Sequence, residues 1–155
     1  MGKATSGQAS IDIDAAPEAV YDLVSDLRRV GEWSPECYRC EWIQGDCPVV
    51  GAEFKGHNRI GPMRWTAKGR VITAERGREF SFATIYKDRR EETRWSYVFE
   101  PTNAGTTVTE SYEFEWAPWY IRLADLVLPR DRQLQQGMRT TLQRIKTVAE
   151  ATVHN

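Results

Sequence analysis

The chain has 155 residues, 41% apolar and 11% aromatic, which is enough for the core of one folded domain and excludes a disordered body. Its 21 Lys and Arg stand against 22 Asp and Glu, a balance that argues against nucleic acid or an anionic membrane as a charge-driven partner. No apolar run approaches the roughly 20 residues that crossing a bilayer requires, so no transmembrane segment is expected.

In chain order, Ser10 to Asp14 alternates with Ile11 and Ile13 on one face and reads as a first strand. Pro17 suits the first position of a helix carrying Val20, Leu23, Val24 and Leu27 at helical spacing. Asp26 is placed to cap a second short turn through Arg28, Arg29 and Val30, which Trp33-Ser34-Pro35 stops, because proline disfavours helix in the residue before it. Six further strands follow: Arg39 to Gln44, Ala52 to Ile60, Arg64 to Ala74, Glu79 to Tyr86, Glu92 to Glu100 and Thr106 to Trp116. The turns between them fall at Gly45-Asp46, Gly61-Pro62, Arg76-Gly77, Lys87-Asp88 and Asn103-Ala104-Gly105. Connections this short favour an antiparallel meander. Tyr120 to Leu128 is apolar on nearly all sides, and Pro129 interrupts it. Asp131 then caps a long amphipathic helix whose apolar stripe is Leu134, Met138, Leu142, Ile145 and Val148. The sheet is the only partner large enough to take that stripe. No repeat or linker divides the chain, so one domain over 1–155 is expected, with its core at about 8–151.

The cysteines Cys37, Cys40 and Cys47 lie close together, but zinc needs four ligands and the only histidines, His57 and His154, fall in mid-strand and at the frayed end of the chain. The C-x-x-C precedes a strand pattern instead of opening a helix, which argues against a thioredoxin-like role. An odd number of cysteines, with no signal-peptide pattern in Met1 to Ser10, points to reduced thiols and a cytoplasmic location. The basic cluster Lys87, Arg89 and Arg90 is broken by Asp88 and followed by Glu91 and Glu92, and reads as a solvated hairpin tip. Neither a metal nor a cofactor is expected.

The order of strand, two short helices, six strands and long final helix is that of the α+β helix-grip fold. Specific residues carry a resemblance: Ala16-Pro17-Glu18-Ala19-Val20-Tyr21, Ser25-Asp26 ahead of Trp33-Ser34-Pro35, and Gly51-Ala52-Glu53-Phe54. Gly56-His57-Asn58-Arg59, Gly61-Pro62, Trp65, Gly77-Arg78-Glu79-Phe80-Ser81-Phe82, Trp95-Ser96-Tyr97 and Gly105-Thr106-Thr107-Val108-Thr109-Glu110 extend it. Over roughly residues 8 to 151 the chain resembles the polyketide cyclase/dehydrase and lipid-transport branch of the START-like (SRPBCC) superfamily. The resemblance implies a curved seven-stranded antiparallel sheet, a final helix over its concave face and a small-molecule cavity between them. It implies less about activity, since this architecture hosts carriers, receptors and cyclases alike.

Alternation across the strands sorts their residues into two faces. The inward set is Phe54, Asn58, Trp65, Phe80, Phe82, Trp95, Tyr97, Phe99, Tyr112, Phe114 and Trp116, with Leu134, Met138 and Leu142 facing it from the helix. Apolar walls with sparse hydrogen-bonding groups are the usual make-up of a ligand pocket. Glu110 falls among them, between Val108 and Tyr112. A buried carboxylate is costly and its pKa rises, which would suit a general acid or base. The plainer expectation is that Glu110 pairs with an arginine such as Arg94 or Arg64. Asn58 either orients a ligand carbonyl or satisfies backbone near Gly56. His57 and Arg59 alternate with Asn58 and are expected outside, so no catalytic histidine is supported.

Three functions fit this pattern: a binder of a small hydrophobic ligand such as a lipid, polyketide or isoprenoid; an aromatase/cyclase or dehydratase-like enzyme using Glu110; or an interaction module docking through the apolar segment 119–128. That segment also allows a peripheral membrane contact or a homodimer.

Overall fold

The computed structural model describes residues 6–86, 90–114 and 130–153. Seven strands form one antiparallel sheet: β1 (Ser6–Ile13), β2 (Cys37–Gln44), β3 (Glu53–Ile60), β4 (Met63–Glu75), β5 (Glu79–Tyr86), β6 (Arg90–Pro101) and β7 (Thr106–Phe114). Their spatial order is β1-β7-β6-β5-β4-β3-β2, so only the β1–β7 pairing joins strands distant in sequence. Helix α1 (Pro17–Ser25) and a 3-10 turn (Leu27–Glu32) connect β1 to β2, and helix α2 (Arg130–Val153) closes the chain. The expected α+β helix-grip architecture is therefore present, with strand ends differing from the sequence reading by a few residues. Among the described residues no helix is long and apolar enough to cross a membrane.

Local chemistry accounts for the elements. Pro17 opens α1 without sacrificing a hydrogen bond, and Val20, Tyr21, Leu23 and Val24 bury its inner face. Asp26, expected as a cap, makes no capping bond; its carboxylate instead takes the Nε–H of Arg28 at 3.0 Å, an exposed partner that competes for the same oxygens. Helix α2 begins at Arg130, so Asp131 lies inside the first turn, where an N-cap would have to precede it. Gly77 sits at φ 78° in the β4–β5 turn, a conformation that glycine adopts without the clash a Cβ brings. Register shifts at Cys37/Arg39, Trp42/Gln44, Val71/Thr73 and Thr84/Ile85 bend the strands, as bulges do, and help curve the sheet.

The concave face is built in cross-strand rows. Phe80 lies opposite Tyr97, Tyr97 opposite Glu110, and Glu110 opposite Ala9. The next row runs Val71, Phe82, Trp95, Tyr112 and Gly7. Helix α2 lays Leu134, Met138, Leu142 and Ile145 on this face as its stripe predicts, with Ala149 buried below and Val148 half-buried. Leu142 and Ile145 join a core with Phe54, Phe80, Tyr97, Phe99, Val108 and α1. Leu134 and Met138 form a second cluster with Tyr112, Trp95 and Phe114.

Polar bonds fasten α2 to one edge of the sheet. Gln135 Nε2 donates to the Gln8 carbonyl at 2.9 Å, Lys146 Nζ to the Asp12 carbonyl at 2.8 Å, and Glu150 Oε2 accepts from the Asp14 N–H at 2.9 Å. All three anchors lie along β1 or just after it.

Candidate functional site

The molecule opens on the opposite flank of α2, toward the β3–β4 hairpin. A groove of about 830 Å³ runs between the end of the β3–β4 hairpin and the first half of α2. Ile60, Gly61, Pro35 and Gly137 supply its apolar surface, and Arg59, Arg64 and Arg132 stand around it. Its size falls within the roughly 300–1,000 Å³ of small-molecule sites. Ile60 follows Asn58 by two residues on the same face of β3, so the groove continues the concave face outward.

None of the described site residues expected from the sequence lines this groove; they lie elsewhere on the concave face and on the helix stripe that covers it. Phe54, Phe80, Tyr97, Phe99, Tyr112, Leu134, Met138 and Leu142 are buried, whereas Asn58, Trp65, Phe82, Trp95 and Phe114 are half-buried on the same face. Trp65 lies directly opposite Asn58. The Asn58 amide makes no side-chain hydrogen bond among the described residues. Phe54 meets Phe82 edge-on at 5.2 Å between ring centroids, and Trp95, Tyr112 and Phe114 make a ladder at 5.5 and 5.3 Å. The ring of Phe54 occupies the space where a side chain at position 69 would project, which is why that position is glycine. Trp116 and the apolar segment 119–128 lie outside the described residues.

Glu110 is 2% exposed, at the junction of the two hydrophobic clusters: Val108 on one side of it belongs to the first and Tyr112 on the other to the second. Desolvation drives its pKa up to about 8, against the smaller lowering effect of a hydrogen bond from the Tyr97 hydroxyl. Its Oε2 atom has no hydrogen-bond partner among the described residues. The expected arginine partner is not there. Arg94 alternates with Trp95, which turns it to the convex face, where it bonds Glu91 at 3.0 Å, and Arg64 lines the groove. Tyr97, itself buried, is held well above the ordinary phenol pKa by desolvation and the neighbouring Glu110 charge. The pair is thus a neutral phenol donating to a carboxyl that is largely protonated at neutral pH.

Two further groups on this face were not singled out as site residues by the sequence reading. Period-two alternation puts Cys37 and Cys40 on opposite faces, but the bulge between Cys37 and Arg39 brings both inward, opposite Asn58 and Gly56. Their thiols interact: the bond from Cys40 holds Cys37 below the usual thiol range, while the same bond and burial push Cys40 up. Cys37 Sγ and Asn58 Nδ2 lie 3.4 and 3.9 Å from the point where a Cβ at Gly56 would stand. The groove residues Arg64 and Arg132 were missed as well, because alternation marks them as surface. His57 faces outward as expected, with Nε2 2.9 Å from Glu41 Oε1.

The sequence profile of the family described as polyketide cyclase / dehydrase and lipid transport matches residues 4–150. The chain belongs to that family. The polyketide-cyclase-like protein Cgl2372 from Corynebacterium glutamicum is similar at 34% identity over 99% of this chain and 96% of that one, with a TM-score of 0.66. The protein NE0264 from Nitrosomonas europaea is 12% identical over 97% of both chains, with a TM-score of 0.74. The di-domain ARO/CYC StfQ from the steffimycin biosynthetic pathway reaches a TM-score of 0.77 at 14% identity, over 97% of this chain and 52% of StfQ. At such identities the last two speak for the polyketide cyclase-like fold alone. No curated protein matches the chain.

Proposed function

We propose that this polyketide cyclase-like protein binds a small hydrophobic ligand, of lipid, polyketide or isoprenoid type, in the cleft between the concave face and α2. The observation that carries this reading is the groove of about 830 Å³ beside α2, whose Ile60 lies two residues beyond Asn58 on the same face of β3. Burying apolar ligand surface there gains about 25 cal/mol per Å², and Asn58, Tyr97 and Glu110 add a few orienting hydrogen bonds. Native mass spectrometry of protein purified from its own host tests it. A co-purifying lipid-like species is expected, and a consistently empty protein argues against it.

The unpartnered Oε2 of Glu110 supports a second reading, as an aromatase/cyclase or dehydratase-like enzyme. A carboxyl with a pKa near 8 sits close to the operating pH, where a general acid or base is most effective. In this reading Glu110 exchanges a proton with an enolisable carbon or a departing hydroxyl of a poly-ketone, while Tyr97 and Asn58 hold its carbonyls. Similarity to an ARO/CYC domain agrees with such chemistry without specifying it. Glu110→Gln should abolish turnover and leave the fold intact; a variant as active as the parent removes this mechanism.

A further inference from the structure

The groove has a charge pattern that a purely apolar ligand does not explain. Arg59 and Arg64 lie directly opposite each other on β3 and β4, and like charges in that register destabilise a strand pair. Arg132, in the first turn of α2, brings a third guanidinium to the same groove from the other side. The positive end of that helix's dipole adds to the potential. Among the described residues none forms an ion pair with Arg59, Arg64 or Arg132; Arg59 instead lies over the Tyr38 ring at 5.1 Å. Glu36 is the single acid among the described lining residues. Elsewhere on this nearly neutral chain several arginines find acids, Arg28 with Asp26, Arg29 with Glu32, Arg76 with Asp22 and Arg94 with Glu91, although Arg78, Arg139 and Arg144 form no ion pair among the described residues. Three guanidinium groups without an ion pair among the described residues thus meet at the mouth of the cleft. Beside these charges the lining turns apolar at Ile60, Pro35 and Gly137.

We propose that the ligand is an anionic amphiphile, whose carboxylate or phosphate head is held at the groove mouth by Arg64 and Arg132, with Arg59 adding to the field, and whose apolar tail runs inward past Ile60 toward Trp65. This rests on the binding function proposed above and names the ligand class. An anionic head relieves the repulsion between the two opposed arginines, and guanidinium groups offer the paired N–H donors that such heads accept. The head remains near solvent, so its charge need not be desolvated, while the tail supplies the hydrophobic gain.

The test uses the whole chain and the fluorescent probe cis-parinaric acid, compared with its methyl ester, which has the same tail and no charge. The acid should bind at least about tenfold more tightly than the ester, as expected of one charge-assisted contact. Arg64→Gln together with Arg132→Gln should bring the acid's affinity down to that of the ester in the same variant, and a preference that survives overturns the proposal; both positions are exposed, so folding is not at issue. Equal affinity of acid and ester in the parent overturns the amphiphile proposal and leaves the hydrophobic-ligand function standing. Failure of both probes to bind overturns both. Inorganic phosphate displacing the acid at the acid's own concentration also overturns it, because the site would then recognise a free anion and not a tailed one.

Discussion

Tyr97 and Glu110 face each other across β6 and β7, and the Tyr97 hydroxyl donates to a carboxyl otherwise surrounded by apolar side chains. The pairing is a product of register. A slip of one residue would turn Glu110 to solvent and Tyr97 away from it. The strand pair therefore places a titratable group in the middle of the core, where its protonation is linked to folding.

The linkage has a definite sign. Glu110 titrates near 4.5 when exposed and at about 8 in the fold, so between those values the folded state holds a proton that the unfolded chain releases. The contribution is fully present below about pH 4.5 and is lost as the pH rises through 8. Relative to Glu110→Gln, the parent should lose stability at up to about 1.4 kcal/mol per pH unit across that window. Urea unfolding of both proteins from pH 5 to 8.5 checks this; parallel stability curves would contradict it.

Tyr97→Phe removes the one hydrogen bond that favours the ionised form of Glu110. The Glu110 midpoint, followed by carbon-13 NMR of the labelled carboxyl, should move above its parent value of about 8. The fold should lose roughly 1 kcal/mol. A midpoint that stays or falls shows that the phenol does not support the carboxylate.

Gly69→Ala places a methyl group in the space of the Phe54 ring. Phe54 must then tilt away from Phe82 and Trp42, its edge-on neighbours at 5.2 and 5.9 Å. A loss of about 1–3 kcal/mol is expected from this overpacking, measured by denaturant unfolding. Unchanged stability would mean that the ring has room to move.

Much of this was legible in the residues. Alternation in β7 placed Val108, Glu110 and Tyr112 inward, and the stripe from Leu134 to Ile145 identified the helix face that covers the sheet. What alternation hides is any departure from it. The bulge that turns Cys37 inward has no signature in Cys37-x-x-Cys40, since its cause is the pairing with β3. Proximity in the fold decided the partner of Glu110 as well: its charge suggested an arginine, but the residue opposite it is Tyr97, visible only once β6 and β7 are aligned. The groove escaped notice because its arginines belong to a hairpin end and a helix start that meet only in three dimensions.

The most direct test of the account is a nitrogen-15 NMR titration with a hydrophobic ligand such as cis-parinaric acid. Saturable shifts are expected at Ile60, Gly61 and Gly137 and at the indole N–H of Trp65, with little change at His57 on the convex face. No binding at accessible concentrations, or shifts confined to the convex face, would contradict the claim that the cleft under α2 is a binding site.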